Sequence, residues 1–248
     1  MEFPMPRIVF QSQTMMETIK KISKQIEDLK CFQKISLEFA QYDWDAGQIL
    51  SMSPSEKFSY VGKIVGKIYD RDSNELFEKT IVYQKMWDKI STRLYAAFEK
   101  LFDFKFGGEA FVVANISPSP ITVYDENANS FDACYKRDND ANISEWIIMF
   151  IKILWKKKLA EILRVLGYEK NSKVDEILEK YLIHLAFTTT DIKKCVSKST
   201  YILPEKYVGV VADGIKLIPH LKGQLKSGIF KFVQNSYELI AINLDLFE

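Results

Sequence analysis

The sequence predicts a predominantly helical α+β fold, with a small sheet of three or four strands packed by long helices. Three observations carry this expectation. Apolar residues recur at intervals of three and four over much of the chain, short alternating runs fall between residues 35 and 135, and Gly and Pro are scarce, ten and seven of 248 residues.

From Thr14 to Leu29 the residues Met15, Ile19, Ile22, Ile26 and Leu29 keep helical spacing, which predicts a first helix. Ile35 to Tyr42 alternates apolar with small or polar residues and predicts a strand with one buried face. Loop-like stretches at Asp43–Gly47 and Ser51–Ser55 precede a short helix through Phe58, Val61, Ile64, Val65 and Ile68. Ser73 or Asn74 is placed to cap a long helix to Phe102, in which Phe77, Ile81, Met86 or Trp87, Ile90, Leu94, Phe98 and Leu101 form the apolar stripe.

Gly107-Gly108 ends that pattern. Ala110–Ile116 and Ile121–Tyr124 then read as strands around a Ser-Pro-Ser-Pro turn, with Phe131–Tyr135 as a further edge strand. Asn142 and Glu145 have capping-box spacing and open a helix that Gly167 closes. Its first half is apolar nearly all round, so it is expected to be central and buried. Val174–Thr188 forms the next helix, and Asp191–Ser197 continues it or starts another. A last helix runs through Leu225, Ile229, Phe232 or Val233, and Ile240. The organisation expected is a mixed α/β half at 1–140 and a helical half at 141–248, sharing one core.

Composition narrows the class of function. With 34 basic and 33 acidic residues the formal charge is +1, and only five of the basic residues are Arg, so there is no strong nucleic-acid footprint. Cys31, Cys134 and Cys195 are widely separated and show no metal or disulfide spacing, which fits a reducing, cytoplasmic setting. Met1–Phe10 lacks the apolar core of a secretory signal, and the apolar run Trp146–Trp155 is too short for a membrane span. No cofactor is expected. Oligomeric state is not legible.

Candidate chemical motifs are few. The pairs Asp43/Asp45, Asp70/Asp72 and Asp138/Asp140 have the carboxylate density that hard cations use, and the same residues favour turns and helix caps. Asp138 to Asn142 begins like a calcium loop, but Ile143 and Met149 stand where Gly and Glu are needed. Gly62 to Lys67 is one residue short of a phosphate loop and has Ile68 where Ser or Thr is required. His184 and His220 are the only histidines. His184 lies on a predicted helix beside Tyr181 and Ile177, and pairing with Cys195 is the one nucleophile arrangement the sequence offers.

The order of elements resembles the catalytic core of zincin metallopeptidases, particularly the gluzincin branch, across Ile35 to Thr190. There a small sheet precedes a zinc-binding helix, and a following helix supplies a third ligand. The resemblance implies that Glu145–Trp155 corresponds to the zinc helix and that Glu176 or Glu179 stands at the third-ligand position. No His-Glu-x-x-His is present in that helix. The implied protein is therefore catalytically inactive, its metal pocket filled by Ile, Met and Phe.

The terminal Asn243-Leu244-Asp245-Leu246-Phe247 is similar to the Gln-Leu-Ser/Asp-Leu-Phe peptides that dock on bacterial sliding clamps, with Asn243 in place of Gln. That resemblance implies partner binding through Leu244, Leu246 and Phe247. It competes with a tail folded back on the core. The function expected is a non-enzymatic binding or scaffold protein with a protein partner, in one form an inactive zincin-like protein. The alternatives are a carboxylate-dependent metal enzyme and a DNA-transaction accessory protein docking through its tail.

Overall fold

The computed structural model of the protein describes residues 2–122, 124–125, 129–136, 139–196 and 201–247. Strand β1 (Glu2–Ser12) leads into α1 (Met15–Gln25), α2 (Leu29–Phe39), a 3-10 turn (Ala40–Tyr42), α3 (Ala46–Ser51) and the 49-residue α4 (Pro54–Phe102). Then come β2 (Lys105–Ser117), β3 (Tyr124–Asp125), β4 (Ser130–Cys134), α5 (Asn139–Leu166), α6 (Ser172–Thr188) and α7 (Thr190–Lys193). A 3-10 turn (Glu205–Tyr207), β5 (Val211–Ala212), β6 (Ile215–Lys216), α8 (Leu217–Lys226), α9 (Ile229–Gln234), α10 (Tyr237–Ile242) and a terminal 3-10 turn (Leu244–Phe247) complete the chain. This is a predominantly helical α+β fold. The main sheet has the order β1-β2-β4-β3, with β4 parallel to β2 and β3 antiparallel to β4, and β5 and β6 form a separate antiparallel pair. Among the described residues, no helix is long and apolar enough to cross a membrane.

The chain divides into two compact units. One, here the sheet unit, comprises Pro6–Asp88 and Ala110–Asn142; the other, the helical unit, comprises Met1–Met5, Lys89–Glu109 and Ile143–Glu248.

In the sheet unit the segment from Arg7 to Phe10, expected to carry no element, is strand. Ile8 and Phe10 are buried and Val9 is exposed, the alternation a one-faced strand requires. Pro4 and Pro6 fall within β1, although proline cannot donate to a ladder. Here β1 is an edge strand, where the missing N–H is tolerated. The same edge is capped from α4: Phe10 N–H donates to Gln84 Oε1 at 3.1 Å and Gln84 Nε2 donates to Ile8 O at 3.3 Å. One side chain thus stands in for a neighbouring strand.

The strand expected at Ile35–Tyr42 is helix α2 and its 3-10 extension. Phe32, Ile35 and Phe39 share a buried face at spacings of three and four, whereas Leu37, assigned to the same face by alternation, is 81% exposed. Asp28 caps the helix by accepting from Cys31 N–H at 2.9 Å.

The break expected at Ser73 or Asn74 is absent, because α4 begins at Pro54 under a Ser53/Glu56 capping box: Glu56 Oε2 accepts from Ser53 N at 2.8 Å. Its buried stripe runs through Leu76, Tyr83, Trp87 and Leu94, while Phe77 is 65% exposed and Ile81 is exposed too. Strand β4 lies inside the sheet rather than at its edge, and all five of its residues are buried. Asn142 does not cap α5. It sits inside the helix, buried, and its Nδ2 donates to Tyr83 Oη at 2.8 Å.

In the helical unit α5 is the buried element the sequence predicts, with Trp146, Phe150 and Trp155 fully enclosed and Phe150 stacked on Phe98 at 5.0 Å. Gly167, at φ +72°, ends it as expected. The single last helix expected is instead α8, α9 and α10. Gly228 breaks the first junction at φ +100°, a conformation L side chains rarely adopt, and a Cβ there would lie a tight 3.1 Å from Asp103 Cβ.

Candidate functional site

Three of the residues singled out by sequence meet in one cavity of the helical unit. Glu176 lines it from α6 together with Lys173, Ile177 and Lys180, while Leu244 and Phe247 line it from the terminal turn. Lys173, Glu176, Ile177 and Lys180 are spaced to share one helix face. Tyr207 and Lys206 close the cavity, whose volume is about 200 Å³. Lys180 Nζ pairs with Glu176 and donates to Tyr207 Oη at 3.0 Å. Burial opposes the charge on Lys180, but these two partners outweigh it and raise its pKa, while the Lys180 hydrogen bond holds Glu176 below the ordinary carboxylate range.

The terminal tail is folded onto this wall. Phe247 is buried, its ring 5.9 Å from Tyr207 and 6.4 Å from Tyr181, and Lys206 Nζ donates to its carbonyl. Leu244 is half-buried and Leu246 exposed. The extended, exposed peptide that docking on a clamp requires is not the conformation found, because burying the Phe247 ring against two tyrosines outweighs leaving it in water.

Glu179, one turn on, faces α5, where its Oε1 lies 3.4 Å from Lys152 Nζ. His184 is half-buried and its pKa is lowered by burial alone. Cys195 is buried, its thiol donates to Asp191 O at 3.6 Å, and burial pushes its pKa up. A thiol held protonated in this way is a poor nucleophile.

Asp43 pairs with Lys67 at 2.7 Å, and Asp45 caps α3 by accepting from Gln48 N at 3.0 Å. Asp70 and Asp72 diverge on α4, one exposed and one buried. Asp138 lies outside the described residues. Asp140 falls in the first turn of α5, and its side chain is likewise not described. Among the described residues, no group of three or more His, Cys, Asp or Glu is arranged to hold a metal ion.

A larger cleft in the helical unit, about 530 Å³, escaped the sequence reading. Its floor is Ala97, Leu101, Leu185 and Leu225, and its rim carries Lys100, Lys222, Lys226 and the run Thr188-Thr189-Thr190. Among the described residues that line it Asp191 is the one acid, 3.6 Å from Lys100 Nζ, against three lysines. The sequence signal was the threonine run where α6 gives way to α7; the lysines come from distant segments and could not be associated with it in advance.

The second arrangement missed lies in the sheet unit. Buried Asp72 accepts from Tyr135 Oη at 2.6 Å, Tyr42 Oη at 3.0 Å and Arg71 Nε at 2.8 Å, with Lys136 Nζ at 3.4 Å. Arg71 and Lys136 also donate to Tyr42 Oη and flank its ring, at 4.4 Å and 4.8 Å from the centroid. The Arg71 hydrogen bond holds Asp72 well below the usual carboxylate range, whereas burial pushes Tyr135 far above the usual phenol.

Comparison with protein-family models, with curated proteins and with solved structures gives no match to this chain. The functional reading rests on the residues themselves.

Proposed function

We propose that the protein acts by binding rather than by catalysis, and that the 530 Å³ cleft of the helical unit takes a small anionic amphiphile. The observation that carries this reading is the union of an apolar floor with a cationic, hydroxyl-bearing rim. The volume lies within the roughly 300–1,000 Å³ of small-molecule sites, which combine apolar walls with a few placed polar groups. Lys100, Lys222 and Lys226 suit a carboxylate, sulfonate or phosphate head, and Leu101, Leu185 and Leu225 suit the apolar body attached to it.

The zincin resemblance extends the same reading. On the zincin-like reading, Lys152 of the helix compared with the zinc helix pairs with Glu179, a residue compared with the third ligand. This arrangement supports an inactive, binding role.

The test is fluorescence titration of the full chain with 1-anilinonaphthalene-8-sulfonate, followed by displacement with dodecanoate. Saturable, displaceable emission that is lost in a folded Lys222→Glu/Lys226→Glu variant supports the reading. Emission unchanged by that reversal of charge counts against it.

A protein partner is the second reading, favoured by Phe77 and Ile81, which lie one turn apart on α4 and are both exposed. A photo-crosslinking residue at position 77 in the native cell should give one discrete adduct that disappears with Ile81→Lys. No adduct, or a diffuse smear unaffected by Ile81→Lys, argues against it.

A further inference from the structure

The five-residue arrangement around Asp72 is out of electrostatic balance. Arg71 and Lys136 are brought to one phenolic oxygen, that of Tyr42, and among the described residues the carboxylate that pairs with both is Asp72. Two phenols complete the cluster, and Tyr135, whose hydroxyl donates to Asp72, is held neutral. Among the described residues the cluster counts two cations against one carboxylate; Tyr42, Asp72 and Tyr135 are buried, while Arg71 is half exposed and opens the cationic face to solvent.

Tyr135 and Lys136 follow directly on β4, so the cluster sits at the carboxyl end of the strand that pairs in parallel with β2. Tyr135 N–H donates to Ser117 O, the last residue of β2.

We infer that the Arg71–Lys136 face binds a tetrahedral dianionic oxoanion, either free phosphate or a phosphate monoester. Asp72 holds the Nε and Nη2 side of the Arg71 guanidinium, and among the described residues no hydrogen bond engages Nη1 and its two protons, on a side chain 52% exposed. Lys136 has spent two donors on Tyr42 and Asp72 and retains a third. A planar guanidinium edge beside an ammonium is the donor set that a phosphate group's several oxygens satisfy. Asp72, Tyr42 and Tyr135 are positioning residues: they hold the two cations together.

The inference is independent of the cleft in the helical unit, and its test uses different probes. Isothermal titration of the full chain at low ionic strength with inorganic phosphate, and separately with phenyl phosphate, should show saturable binding. Tighter binding of phenyl phosphate identifies an ester ligand, and equal binding identifies the free ion. Arg71→Ala and Lys136→Gln should each weaken binding at least tenfold while circular dichroism still shows a cooperative melt. Where Arg71→Ala does not fold, the wild-type Arg71 Nε–H resonance supplies the readout: it must shift on phosphate addition. Absence of saturable binding with both probes, undiminished binding in folded variants, or an unmoved Arg71 resonance overturns the inference.

Discussion

Lys152 on α5 and Glu179 on α6 form an ion pair within the helical unit, Nζ to Oε1 3.4 Å, with both side chains partly buried. A partly buried pair of this kind costs more when one partner is removed than when both are replaced, because the remaining charge is left without compensation. Glu179→Gln alone should destabilise by about 1–2 kcal/mol, and Lys152→Met/Glu179→Leu should recover most of the loss. Urea denaturation of the single and double variants checks this. A double variant as unstable as the sum of the two single variants contradicts it.

The Asp72 cluster sets a pH dependence of known sign. Its carboxyl pKa is depressed in the fold, first by Arg71. The contribution is therefore fully present above the unfolded value near 3.9 and is lost as the pH falls below that toward the folded value. Asp72→Asn should cost about 2–3 kcal/mol at pH 7, since it strands two cations, and the gap to wild type should narrow below about pH 4. Thermal melts of both proteins from pH 3 to pH 7 measure the gap.

Asp175 gives the opposite sign. Burial raises its carboxyl pKa despite the Tyr237 hydroxyl at 3.1 Å, and its Oδ2 is buried without a hydrogen-bond partner. A raised carboxyl is a cost that grows as the pH rises from the unfolded value through the folded one. Asp175→Asn should therefore raise the melting temperature at pH 7, by an amount corresponding to about 1 kcal/mol, with the advantage shrinking toward pH 4. Equal melting temperatures at pH 7 contradict this.

Gln84 guards the free edge of β1 through Phe10 and Ile8. Gln84→Ala removes the two hydrogen bonds to β1, together with the one its Nε2 donates to Asp88, and exposes an edge, so it should cost about 1–2 kcal/mol and promote association. Equilibrium unfolding reads the first effect and light scattering at rising concentration the second.

Legibility in the sequence followed periodicity where one face alone decided burial. Helix α5 and its stop at Gly167 were legible because a long apolar run and a positive-φ glycine have few alternative meanings. Helix α2 was misread because Ile35, Leu37 and Phe39 satisfy a period of two as well as Phe32, Ile35 and Phe39 satisfy 3.6, and only packing decides between them. The long helix α4 was divided because Ser73 and Asn74 resemble caps, yet both are exposed mid-helix, where nothing requires a stop. At the site level Glu176, Leu244 and Phe247 were singled out separately and meet in one cavity. The 530 Å³ cleft and the Asp72 cluster were not legible, since each gathers side chains from segments far apart in the chain, and Asp70-Arg71-Asp72 reads locally as a turn.

The central claim is that the helical unit's cleft receives an anionic amphiphile. Its most direct measurement is methyl NMR of the full chain, labelled at Leu and Thr, during titration with dodecanoate. The account predicts saturable shifts concentrated at Leu101, Leu185, Leu225 and Thr188–Thr190, the residues that form the floor and rim. Shifts that avoid these methyls, or a spectrum unchanged at saturating dodecanoate, would contradict it.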